Sequence, residues 1–193
     1  CTLADIDALD IYSCFPSAVQ IACDEMNISL DDQRGLTITG GLPYFGGPGN
    51  NYVTHSIAEM INKVRAKPGI KGLVTANGNY ITKQSAGIYS TEPTSKPFAP
   101  KNPSIYQNEI NSQKGPPFIE FANGNGIIET YTIMHDRSGP SFGILFGRLQ
   151  NGSRFIANTP DDNSLMSNMT LEDYLGASGI VKNVEGVNIF IPD

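Results

Sequence analysis

Four prolines fall between Thr91 and Pro103, in the stretch Thr-Glu-Pro-Thr-Ser-Lys-Pro-Phe-Ala-Pro-Lys-Asn-Pro. Each removes a backbone donor and holds φ near about −65°, so neither a helix nor an inner strand runs through it. The chain must therefore fold on either side of this break. The segmentation reads as a first domain over 1–92, a linker over 93–104 and a second domain over 105–193. Charged residues make up only 17% of the 193 residues against 39% hydrophobic, so charge-driven disorder is excluded and a core can form.

Before the break, helical and extended patterns alternate. Asp10–Cys14 reads as a short strand, and Pro16 suits the first turn of a helix carrying Val19, Ala22, Cys23 and Met26 on one face. Leu36–Thr39 reads as a buried strand running into the glycine-rich loop Gly40–Asn51. A helix with Ile57, Met60, Ile61 and Val64 on one face follows and closes at Lys67-Pro68-Gly69. Gly72–Asn77 and Tyr80–Ser90 read as two further strands about the turn Asn77-Gly78-Asn79. This order predicts a layered α/β unit.

Beyond the break the periodicity changes. After a short helix around Ile105–Ile110, extended runs are predicted at Phe118–Phe121, Ile127–His135, Phe142–Leu149, Arg154–Asn158, Gly179–Val184 and Val187–Ile191, with a helix over Ser164–Tyr174. Asn-Gly turns between alternating apolar runs are strong hairpin signals. Six short strands with tight turns predict a small antiparallel β-barrel-like, OB-like domain.

Composition also excludes functions. Thirteen basic residues against nineteen acidic give a net charge of −6, and neither half has a basic cluster, which argues against nucleic acid as a partner. No apolar run is long enough to form a membrane span. Three cysteines, at 1, 14 and 23, make no even disulfide set and lack zinc spacing; with no signal segment, they set the expectation of reduced thiols in a cytoplasmic protein. A chain that opens at Cys1 directly into domain-like sequence is expected to be a fragment of a longer protein.

The loop Gly40–Asn51 is the richest stretch for chemistry. A strand ending in glycines before a helix lets backbone amides approach a ligand, although no phosphate-binding or dinucleotide signature is present. Gly40, Gly41, Gly46, Gly47, Asn50 and Asn51 are the candidate binding residues. Asn50 and Asn51 either donate to a ligand oxygen or cap the helix. His55, a few residues on, is either a general base or a structural hydrogen-bonding residue. Cys14 is the one plausible thiol nucleophile, with packing as its other reading. Lys83 and Gln84 either approach the same pocket or line a solvated strand face. His135-Asp136-Arg137 reads as hairpin-turn chemistry, and Asp161-Asp162 as a turn or helix cap rather than a metal site.

Three landmarks carry a resemblance: Ile11-Tyr12-Ser13-Cys14-Phe15, then Thr39 to Gly49, then Gly72 to Gly78. In this order and spacing, residues 1–90 resemble the C-terminal half of a thiolase. The remainder resembles the additional C-terminal domain of the thiolase-like protein type 1 group, often labelled acetyl-CoA acetyltransferases. The resemblance implies a thiolase-type α/β half-domain, acyl transfer, acyl-CoA as substrate without a covalently bound cofactor or metal, and a missing N-terminal half bearing the nucleophile. It also implies departures. Tyr12 stands where the family has Asn or His, Gly47 where it has the His of Gly-His-Pro, and Asn77 where it has the Cys of Cys-x-Gly. Neither glycine nor an amide serves as a base, so His55 and Asn77 are the candidate catalytic residues of a site inactive alone. A non-catalytic acyl-CoA-, lipid- or protein-binding module is the alternative. The uncovered apolar surface of residues 1–90 sets the expectation of a homo-oligomer.

Overall fold

The computed structural model describes every residue except Lys96, Phe98 and Pro100; these three, part of the expected linker, lie outside the described residues. The chain divides into two compact units, Cys1–Pro100 and Lys101–Asp193.

The first unit is built on three strands in the order β1 (Ala8–Asp10), β2 (Lys71–Gly78) and β3 (Lys83–Ser90). β1 and β2 are parallel, with Leu9 opposite Leu73, and β2 and β3 form an antiparallel hairpin with Asn77 opposite Gln84. Strand alternation separates two cores. Leu9, Ile11 and Leu73 pack with Cys23 of helix α1 (Pro16–Met26). Ala8 and Val74 turn the other way, onto Met60 and Val64 of helix α3 (Tyr52–Ala66). Pro16 occupies the first turn of α1 and Asn27 ends it in the left-handed region at φ 53°, a conformation asparagine tolerates. α3 buries Tyr52, Ser56, Met60 and Val64, a four-residue spacing that keeps one face inward. A single turn, α2 (Leu42–Phe45), precedes it.

Three expectations are corrected in this unit. The first strand ends at Asp10 rather than beginning there. Leu36–Thr39 is not a strand, because the amides of Ile38 and Thr39 go to the Asp10 carboxylate instead of a ladder. The turn between β2 and β3 lies at 79–82, starting two residues beyond the expected 77–79, and holds Asn79, Tyr80 and Ile81 all at positive φ.

The second unit opens with helix α4 (Pro103–Ser112), none of whose residues is buried. Five strands then close a barrel in the order β4 (Gly124–Asp136), β5 (Gly139–Leu149), β6 (Arg154–Asn158), β8 (Val187–Pro192) and β7 (Ser178–Val184). Helix α5 (Asn163–Leu171) lies between β6 and β7 in the sequence, its N-terminus capped by Asp162. Closure runs through an antiparallel β4–β7 pair and a single parallel bridge, Asn158 to Ile189. Phe155 and Phe190 stack inside at 6.1 Å. Gly147 faces Phe155, whose ring fills the space a side chain there would occupy. The expected sixth strand, Phe118–Phe121, is reduced to one bridge from Phe118 to Arg154. Its continuation is diverted: the Ala122 amide donates to the side chain of buried Asn188 at 2.9 Å. No helix of the described residues is long and apolar enough to cross a membrane.

Candidate functional site

Because β1 and β2 run parallel, their carboxyl ends lie at one edge of the sheet, the position where α/β sheets usually carry ligand sites. The chain leaving β1 stays beside β2. The Tyr12 amide donates to Thr75 Oγ1 at 2.9 Å, and the Cys14 thiol lies 3.6 Å from Asn77 Oδ1, its acceptor. The Tyr12 ring meets the Tyr52 ring edge-on, with centroids 5.4 Å apart. Gly47 lies against the same tyrosine. The structure thus links the three landmarks through Cys14 and Tyr52.

Their chemistry differs from a proton-relay site. A Cβ at Gly47 would lie 2.6 Å from Tyr52 Cβ and 3.1 Å from its Cα, so no histidine fits there with this backbone. Asn77 is half-buried and accepts from a thiol. Tyr12 is half-buried too, and its hydroxyl has no hydrogen-bond partner among the described residues. Burial pushes the Tyr12 phenol above its usual range, with the neighbouring Cys14 and Tyr52 adding to the effect. It therefore remains a neutral donor at physiological pH.

His55 is engaged elsewhere. Its Nδ1 lies 3.4 Å from the Gly46 carbonyl and its Nε2 lies 3.1 Å from the Asn51 side-chain nitrogen. A carbonyl only accepts, so this network assigns the proton to Nδ1 and leaves Nε2 to accept from Asn51. Phe45 packs beside the ring at 5.3 Å. Asn51 stands at the N-cap of α3 without its side chain capping the helix; its carbonyl oxygens receive the Thr54 hydroxyl. Asn50 is exposed.

The glycine-loop amides are also largely engaged. Gly40 donates to Thr37 Oγ1 at 3.1 Å, Gly41 to Thr39 Oγ1 at 3.1 Å and Gly46 to the Leu42 carbonyl at 2.9 Å. Leu42 donates to Ser13 Oγ at 2.8 Å. Of the four candidate glycines, only Gly47 has an amide without a partner among the described residues.

Asp10 was missed at the level of sequence, and it organises all of this. It is fully buried, and its carboxylate accepts from six groups. The Thr37 hydroxyl, the Ile38 and Thr39 amides and the Thr39 hydroxyl reach Oδ2 at 2.9–3.2 Å. The Tyr52 and Ser56 hydroxyls reach Oδ1 at 2.9 and 2.6 Å. A carboxylate taken out of water survives only with such compensation. No local signal could have revealed it, since its partners lie 27 to 46 residues away along the chain.

On the α1 side of the same segment is a cavity of about 270 Å³, bordered by Ile11, Cys14, Phe15, Val19, Leu36 and Pro43. Its walls are mainly apolar, and Cys14 stands between it and Asn77. Gln84 faces Asn77 across the hairpin but is exposed and donates to the Ile81 carbonyl at 3.1 Å; Lys83 is exposed opposite Gly78. Cys23 is buried, which raises its thiol pKa, and Cys1 is exposed.

The remaining candidates belong to the second unit. His135 is exposed and contacts the Ile133 carbonyl, while Asp136 accepts the Ser138 hydroxyl and amide, which lower its pKa. Asp162 accepts the Ser164 and Leu165 amides as the cap of α5. Among the described residues no group of three or more His, Cys, Asp or Glu is placed to hold a metal ion.

No curated protein matches this chain. In contrast, the whole chain superposes on the crystal structure of a monomeric SCP2-thiolase-like protein type 1 from Mycobacterium smegmatis, at 44% sequence identity and a TM-score of 0.88. It spans 42% of the length of that protein. Residues 106–186 match the family described as the thiolase-like protein type 1 additional C-terminal domain.

Proposed function

We propose that this chain is the C-terminal portion of a thiolase-like protein type 1 and forms one wall of an acyl-thioester site, with acyl-CoA as its ligand. The observation that carries this reading is the convergence of Tyr12, Cys14, Asn77, Tyr52 and Gly47 at the carboxyl ends of β1 and β2. Tyr12 supplies an unpartnered donor suited to a thioester oxygen, and the apolar cavity beside Cys14 suits an acyl chain. The remaining wall, and any nucleophile, would come from the part of such a protein that this chain does not span. In the second unit, the strand order with a helix before its last two strands is that of an OB-like barrel, added to the thiolase-type α/β unit.

A specific observation favours the non-catalytic form of this reading. Gly47 leaves no room for a base, and the lone pair of His55 is already used by Asn51. This wall therefore offers a thioester a donor and an apolar cavity but no base of its own. The test is calorimetric titration of the full-length parent protein with acetyl-CoA and a long-chain acyl-CoA, with thiol release followed in parallel. Saturable binding without release, weakened by Tyr12→Phe and indifferent to His55→Ala, is expected. Turnover lost in His55→Ala would instead establish an acyltransferase, and absence of saturable binding would sink the acyl-CoA reading altogether.

A further inference from the structure

Asp10, the last residue of β1, is fully buried. Its Oδ2 holds the segment Thr37–Thr39, and the hydroxyls of Thr37 and Thr39 in turn receive the Gly40 and Gly41 amides. Its Oδ1 holds Tyr52 and Ser56, one helical turn apart on α3. Tyr52 then meets two landmarks at once: its ring supports Tyr12 edge-on, and its Cβ closes against Gly47. The Tyr52 hydroxyl donates to Asp10 at 2.9 Å and lies 2.7 Å from Thr39 Oγ1, whose one proton is shared between Tyr52 and Asp10. The loop is thus organised by the protein's own groups before any ligand arrives.

We infer that Asp10 is a positioning residue which, through Tyr52, sets the Tyr12 ring and the glycine-rich loop in the geometry that receives the ligand. This rests on the reading of Tyr12 as the ligand-facing donor. The geometry separates positioning from mere support, because two of Asp10's donors differ in what they touch. The Tyr52 ring packs edge-on against Tyr12, whereas the Ser56 hydroxyl, a turn further along α3, bonds to Asp10 Oδ1. Removing either hydroxyl deprives Asp10 of one hydrogen bond, but only one of them leads to the site.

The experiment compares Tyr52→Phe with Ser56→Ala in the full-length parent protein, reading unfolding, the ring resonances of ¹³C-labelled Tyr12 and the affinity for acetyl-CoA. Both variants are expected to lose similar stability. Tyr52→Phe is expected to shift the Tyr12 resonances and weaken acetyl-CoA about tenfold, the scale of one hydrogen bond, whereas Ser56→Ala leaves both within about twofold. Asp10→Asn, with its oxygen toward the Ile38 and Thr39 amides and its NH2 donating to the Tyr52 and Ser56 hydroxyl oxygens, is expected to keep the Tyr12 resonances in place, and Asp10→Ala to displace them. If Asp10→Ala does not fold, the Tyr52 and Ser56 pair decides. Parallel effects of Tyr52→Phe and Ser56→Ala on Tyr12, or an unmoved Tyr12 in folded Asp10→Ala, would overturn the inference. Should the wild-type protein bind no acetyl-CoA, the thioester reading fails, and the ligand-free Tyr12 resonances still judge Asp10.

Discussion

In each unit of this molecule a buried polar side chain, Asp10 or Asn188, gathers several partners from irregular backbone, and the two work in opposite ways. In the α/β unit, Asp10 only accepts, and six donors from a loop and a helix converge on it. In the barrel, Asn188 accepts from the Ala122 amide and the Asn183 side chain while donating to the Glu120 and Ile156 carbonyls at 2.8 and 2.9 Å. The barrel already satisfies most of its backbone through continuous ladders, so Asn188 completes an existing closure. The three-stranded sheet has no ladder for residues 36–41, and Asp10 replaces one. The difference shows why the candidate site belongs to the first unit: an irregular segment held by side chains can present amides, hydroxyls and rings in arrangements a ladder does not allow.

The sharpest way to break the comparison is Asp10→Ala. It leaves hydroxyls and two amides without their acceptor in a water-free setting, for an expected loss of about 3–5 kcal/mol. Hydrogen exchange should show protection falling at Leu73–Thr75 much more than at Leu145–Gly147. Equal loss in both stretches would mean that Asp10 is no more local to its unit than any other core residue.

Asn188→Ala comes next. It strands the Ala122 amide and two carbonyls, with an expected cost of about 2–3 kcal/mol by denaturant unfolding. Because Asn158 and Ile189 still bridge β6 and β8, and β7 and β8 remain paired over six residue pairs, the barrel should stay closed, with lost protection confined to the neighbourhood of Ala122, Asn183 and Ile156. A loss exceeding that of Asp10→Ala would reverse the contrast.

The same contrast explains what was legible in the sequence. The barrel strands from Ile127 onward were read nearly to their ends, because Asn-Gly and Asp-Arg-Ser-Gly turns punctuate alternating runs whose partners are adjacent in sequence. The face of α3 was also legible from Met60 and Val64. Leu36–Thr39 was misread because Leu-Thr-Ile-Thr has strand composition, yet its amides serve a carboxylate 28 and 29 residues away. Phe118–Phe121 failed similarly, its continuation diverted to Asn188. For the site, Tyr12, Gly47 and Asn77 were singled out by the resemblance of the three landmarks to a thiolase, not by composition or periodicity. The engagement of His55 by Asn51 and Gly46, and of the Gly40 and Gly41 amides by threonines, depends on side-chain directions that spacing does not encode.

A smaller effect of opposite sign is expected in the hairpin turn beyond Asn77. Ile81 holds φ 67°, where a β-branched side chain crowds its own backbone. Ile81→Gly is expected to stabilise the chain by about 1 kcal/mol, the relieved strain exceeding glycine's greater freedom when unfolded. A rise in the midpoint of thermal unfolding checks it. No comparable non-glycine strain occurs in the β4–β5 turn, so a glycine placed at Arg137 should not stabilise.

The smallest difference concerns acid. Each unit has an arginine–carboxylate clip: Asp32 with Arg34 in the first, and Glu129 between Arg148 and Arg154 in the second. The Arg34 guanidinium and amide hold Asp32 at about 2, from an ordinary value of 3.8. Arg154, assisted by Arg148, likewise lowers Glu129 from 4.5. A carboxylate whose folded pKa is depressed stabilises the fold above its unfolded pKa and loses that contribution as pH falls through the folded value. Arg34 also donates to the Leu3 and Ile6 carbonyls at 2.9 Å, so protonating Asp32 loosens the chain start of the first unit. Acid unfolding followed by hydrogen exchange should therefore lose Asp32's contribution between pH 3.8 and about 2, and Asp32→Asn should reduce the pH dependence around Leu3–Ile6 to the share of Asp5, which Thr2 also holds below its ordinary value, while leaving the barrel's unchanged. An Asp32→Asn profile identical to wild type over this interval would show that the clip is decoration on a segment fixed by its apolar contacts alone.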